Sequence, residues 1–170
     1  MKARVATARR FLPLRARQTL LTAHIIMSVG LLGDSAGFLA VAMRLSTTND
    51  PVARLELLNM LQMFSLVFGI PLSIGSVVSG IALGVGSKWG VFRYPWVLAK
   101  LLLILSVMVV GGVFIGPAED TMLHGRGDAT AQLIAAASYD VLALAMATGL
   151  SVFKPGRPFR SSRPMEKATA

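Results

Sequence analysis

Four long runs of this chain carry almost no charge, and they constrain everything else. They lie at about residues 18–43, 57–86, 91–115 and 129–153. A helix rising 1.5 Å per residue needs roughly 20 residues to cross a hydrocarbon core of about 30 Å, and each run is long enough. None alternates polar with apolar residues, and lipid tolerates only helices or closed barrels. The expected fold is therefore all-α: a polytopic membrane protein built as a four-transmembrane-helix bundle, residues 18–153. Composition agrees. Of 170 residues, 54% are hydrophobic and 15% charged, where a soluble domain carries about a quarter charged.

Charge then sets the orientation. Residues 1–17 form a basic tail with Lys2, Arg4, Arg9, Arg10, Arg15 and Arg17, and residues 154–170 form a second with Lys154, Arg157, Arg160, Arg163 and Lys167. The connection between runs two and three adds Lys88 and Arg93; the opposite side has Arg44, Arg54 and Arg126. Cytoplasmic segments carry the excess of Lys and Arg, so both termini are expected in the cytoplasm of a bacterial cell-membrane protein. Trp89, Phe92, Tyr94 and Trp96 would form the inner aromatic belt. The basic tails would hold anionic lipids. They read as membrane-orientation signals rather than a nucleic-acid surface, because Phe11 alone among aromatic side chains interleaves with the N-terminal basics, too few to stack successive bases. The C-tail, polar and proline-rich, reads as disordered. The first run is too long for a cleaved signal and contains Asp34.

Local signals mark the ends. Asp50 before Pro51 is a helix cap followed by proline at the first helical position. Pro71 should kink the second helix. Gly116-Pro117 is read as the stop of the third, and Lys154-Pro155-Gly156 as the stop of the fourth. Small residues form packing stripes: Gly30, Gly33 and Gly37 in the first helix, Ser76, Gly80 and Gly84 in the second, and residues 135–138 with Ala143, Ala145 and Gly149 in the fourth. The stripes serve packing within one bundle or against a second copy or another membrane protein equally well.

The chemistry lies in the ionisable residues of the runs, since charge in hydrocarbon costs several kcal/mol unless paired or facing water. These are His24 and Asp34 in the first helix, Lys100 in the third, and Asp140 beside Tyr139 in the fourth. At about 1.5 Å per residue, His24 and Lys100 share one layer and Asp34 and Asp140 a deeper one. A lysine stem is long enough to reach from Lys100 toward Asp140. Neutral imidazole ligates haem iron, copper and zinc; buried aspartates mark proton or cation paths. Glu119, Asp120, His124 and Asp128 fall in the predicted outer loop and read as a solvated loop before an external cation site. The chain has no cysteine, which excludes disulfides, thiolate metal sites and thiol catalysis. It has no phosphate-binding loop, HExxH or GxSxG motif.

The segments "TAHIIMSVG" and "WGVFRYPWVLAKLLLILSV", with the ending "LSVFKPGRP", resemble small bacterial four-helix membrane proteins of a domain-of-unknown-function family. That family is distantly similar to the CopD copper-resistance family and to HemJ-type protoporphyrinogen oxidases. The resemblance covers roughly residues 18–157. It implies a ligand role for His24, with haem b or copper as the candidate cofactor, and places Lys100 near a propionate or other anion. The tryptophan usual after that histidine is replaced here by "GLLGDSAG", and a second axial ligand would have to be a methionine such as Met27, Met63 or Met108. Two functions remain open from the sequence. One is a non-enzymatic accessory or structural membrane protein in which His24 either holds the bundle together by hydrogen bonding or binds haem or metal. The other is a small proton- or cation-coupled transporter that uses Asp34 and Asp140.

Overall fold

A computed structural model describes residues 13–85 and 95–153. Within them the chain forms four long helices: α1 (Leu14–Ser46), α2 (Pro51–Val85), α3 (Pro95–Leu123) and α4 (Thr130–Phe153). All four are long and apolar enough to cross a membrane, and no strand occurs among the described residues. The expectations for residues 1–12 of the N-tail, for the C-tail, for Lys88, Trp89, Phe92, Arg93 and Tyr94, and for the Lys154-Pro155-Gly156 stop lie outside the described residues, whereas Arg15 and Arg17 stand in the first turn of α1.

α1 packs against α2 on one side and α4 on the other, and α3 packs against α4. Contacts between α2 and α3 complete the ring, Pro51–Met63 packing on Gly116–Leu123 and Ile70–Val85 on Pro95–Val110. One apolar core lies near the 47–50 and 124–129 loops, built on Phe38, Leu45, Leu61, Met122 and Leu133. A smaller one, Leu31, Val107, Ala143 and Leu144, lies deeper. The outward faces are apolar as well. Ile26, Val29, Val67, Val78, Leu102, Val109 and Leu142 are all exposed, while Ser73, Ser76, Ser79, Glu119 and Asp140 are buried. In water this distribution would be inverted.

Asp50 caps α2 as expected, its Oδ2 accepting from the Ala53 amide at 2.8 Å. Both internal prolines follow an irregular turn of the helix. α2 carries a π-helical segment at Phe64–Gly69 and α3 another at Gly111–Ile115. Each is closed by an amide bonded five residues back, Ile70 to Ser65 and Gly116 to Gly111. Each closing residue immediately precedes a proline, Pro71 or Pro117. In an α-helix the proline ring strikes the carbonyl four residues back. A wider π turn just before it moves that carbonyl aside. Gly116-Pro117 therefore does not stop the third helix, which continues to Leu123. The Phe114 carbonyl beside the break accepts from Gln132 Nε2 at 2.9 Å.

The glycine stripe of α1 divides. A Cβ on Gly37 would meet Phe64 at 3.1 Å and one on Gly30 would meet Leu72 at 3.5 Å, so both face α2. Gly33 faces open space. The tight face of α2 combines Gly80 with three serines spaced every third residue, Ser73, Ser76 and Ser79, all buried.

Candidate functional site

Between the two cores lies a cavity of about 310 Å³, partly open to the outside. Its walls are mostly apolar, and three carboxyl groups face it from three helices. Asp34 comes from α1, Glu119 from α3 and Asp140 from α4; Ser35, Ser65 and Ser73 add hydroxyls. α2 contributes Ser65, Leu66 and Gly69 from its π segment, and α3 contributes Gly111, Gly112 and Ile115 from its own. Both irregular turns thus fall at the cavity.

The three acids are held differently. Glu119 is 5% exposed, and its Oε1 accepts from Ser65 Oγ at 2.9 Å. Asp140 is 6% exposed, and its buried Oδ1 has no hydrogen-bond partner. Asp34 is half-buried, and its Oδ1 is also buried without a partner. Its Oδ2 lies 3.4 Å from where a Cβ on Gly69 would sit; the glycine leaves the carboxyl its space beside the π turn. Leaving a buried polar atom unpaired costs about 1–3 kcal/mol, so such an atom calls for an explanation. Counting along the helices, Asp34 and Asp140 lie about 15–18 Å from the loop end, roughly half a hydrocarbon layer, and Glu119 about 6 Å from it.

Asp34 and Asp140, the pair that helix rise puts in one layer, line the same cavity. Sequence alone leaves Glu119 in a solvated loop, because Gly116-Pro117 reads as a stop. The structure turns it inward, one helical turn past Ile115 and alongside Ala118 and Met122, all buried. That continuing apolar spacing was the available signal. The other polar residues of that segment stay outside and are partnered. Asp120 pairs with Arg126 and with His124 Nδ1. Asp128 accepts from the Thr130 amide at 2.9 Å and Oγ1 at 2.6 Å, and Arg54 lies 3.6 Å away. Those Thr130 hydrogen bonds, with a smaller contribution from Arg54, hold the Asp128 carboxyl below the usual carboxylate range.

The other predicted site residues lie outside the cavity. His24 Nδ1 is 2.9 Å from Ser79 Oγ, and that hydroxyl lies 2.6 Å from the Gly75 carbonyl. The single hydroxyl proton goes to the carbonyl, so Nδ1 is the donor to Ser79. The ring packs on Gly80, where a Cβ would meet Cε1 at 3.2 Å. Lys100 is within electrostatic range of His24, but its Nζ donates to Ser151 Oγ at 3.0 Å and sits over Trp96. Ser151 is about 16 Å along α4 from Asp140, so the lysine does not reach across to that carboxyl. Tyr139 points away from its neighbour Asp140, its hydroxyl donating to Ser106 Oγ at 2.7 Å.

For a haem or copper at His24, Nδ1 is already engaged with Ser79 Oγ. The ring is pressed between α1 and α2, and the sulfur of Met27, one turn on, sits where a Gly75 Cβ would be. Among the described residues no three His, Asp or Glu side chains converge to share a metal ion. The arrangement suits other chemistry, the binding of a positive charge or the passage of protons among separated carboxyl groups in an apolar chamber. No family model matches the chain, and neither does any curated protein or solved structure.

Proposed function

We propose that the protein is a four-span integral membrane protein of the cell membrane, with both termini in the cytoplasm, and that it works as a small proton- or cation-coupled transporter through Asp34, Asp140 and Glu119. The membrane placement is supported by four apolar helices whose exposed faces are Leu, Ile and Val while serines and acids are buried. One observation carries the transport reading. Asp140 is buried on the cavity wall with an oxygen that no protein group satisfies. For a residue kept only for packing, a carboxyl with an unpaired oxygen at this depth is costly. A carboxyl that trades a proton for a cation must instead be left free of a permanent basic partner. The π segments support the same reading, because such turns mark functional sites in helices.

The test is a pH-sensitive dye trapped in vesicles carrying the protein, challenged with gradients of inorganic and organic monovalent cations. At least one cation is expected to drive a pH change in the wild type and not in Asp140→Asn. A panel that leaves the interior pH unmoved, or moves it equally in both proteins, contradicts the proposal.

A further inference from the structure

We propose that the cargo is an amphiphilic organic cation, an ammonium group carrying an apolar tail, and that it reaches the carboxyl groups sideways from the lipid through a gap between α2 and α3. This deepens the transport reading above and rests on it.

Size argues first. A cavity of about 310 Å³ is the volume of about ten waters and falls within the range of pockets for small organic ligands. A dehydrated inorganic ion needs several oxygens converging on a point. Here the acids do not converge; they are distributed around a mostly apolar chamber. Separated carboxyl groups on greasy walls match a diffuse positive charge attached to a hydrocarbon body. Asp140, deeply buried with a bare oxygen, is the counter-charge at the wall.

The opening argues second. Leu66 and Ile74 of α2 and Met108 of α3 line the cavity, yet all three are also exposed to the outside. They are rim residues, on the side where the two π segments add little to the packing of α2 against α3. Gly112, exposed and cavity-lining, has no heavy atom within 4 Å of a Cβ built on it. In a bilayer this rim faces the hydrocarbon layer, where the tail of an amphiphilic cation already resides. A side opening admits tail and head together without drawing the tail through water.

The experiment is equilibrium binding of hexyltrimethylammonium and of tetramethylammonium to the full chain in lipid nanodiscs, with empty nanodiscs as the blank. Both probes carry a permanent charge, and they differ in the tail. The wild type should bind hexyltrimethylammonium at least tenfold more tightly. Asp140→Asn, which keeps the side-chain shape, should weaken that binding at least tenfold. Gly112→Trp, at a rim position whose Cβ would meet open space, should do the same; Gly33→Trp, also on an open face but not lining the cavity, should not. Equal binding of the two probes by the wild type overturns the proposal without reliance on any variant. So does hexyltrimethylammonium binding that survives Asp140→Asn or Gly112→Trp. If an inorganic cation still drives Asp140-dependent pH change while hexyltrimethylammonium fails to bind, the cargo assignment falls and the transport reading stands. If neither depends on Asp140, both fall.

Discussion

At Asp140, stability and function pull in opposite directions. Its Oδ1 is buried with no partner, and an unpaired charge in an apolar setting is costly. Asp140→Asn keeps the side-chain shape but cannot ionise, so its melting temperature is expected to equal or exceed the wild type's. A fall of several degrees would show that the carboxyl is structural. Glu119 differs, because Ser65 donates to it. Ser65→Ala should cost about 1 kcal/mol, read as a lower denaturation midpoint, whereas a silent Ser65→Ala would mean that the contact contributes nothing. Outside the spans, Asp128 has a depressed folded-state pKa. Such a group adds stability that is fully present above its unfolded pKa of about 3.9 and is lost as pH falls through the lower folded value. Because Asp128 is exposed, the effect is expected to stay below about 1 kcal/mol. Asp128→Ala should lower stability near neutral pH and flatten its fall below about pH 4. An unchanged acid profile counts against the Thr130 contacts as the cause.

At the scale of the element, α1 offers an internal comparison. Gly37→Leu should destabilise the bundle by about 1–3 kcal/mol, because its side chain would run into Phe64. Gly33→Leu should change little, since its Cβ meets open space; comparable losses at both positions would contradict the packing. The same helix shows what the sequence conceals. Gly33 and Gly37 look like one GxxxG motif, but spacing does not say which face meets a partner. The π segments are less legible still. A π turn is a change of backbone register with no residue code, and Pro71 and Pro117 announce an interruption without its kind. Reading Pro117 as a stop hides the location of Glu119, although buried Ile115, Ala118 and Met122 continue the helical spacing past it. By contrast, Asp50 is legible as a cap because its chemistry is local. Asp34 and Asp140 are legible as a layer because helix rise is regular. The surroundings of His24 are not legible in the sequence, because Ser79 and Gly80, 55 and 56 residues away in the chain, form them.

For the whole molecule, the four helices form a frame with two apolar cores and an acid-lined chamber between them. Its orientation can be read by labelling, since the natural chain has no cysteine to interfere. Cysteines placed singly at Asn49 and Gly127, in the two loops at one end, should react with an impermeant maleimide added to intact cells. Protection at both would reverse the proposed topology. The central claim is that the chamber's carboxyl groups couple cation movement to protons. The measurement that tests it most directly is the cation-driven pH change in vesicles bearing wild type or Asp140→Asn at matched density. The account predicts that the variant retains less than about a tenth of the wild-type rate while melting no lower, the size expected for loss of one charged contact. Equal rates in the two proteins would contradict it.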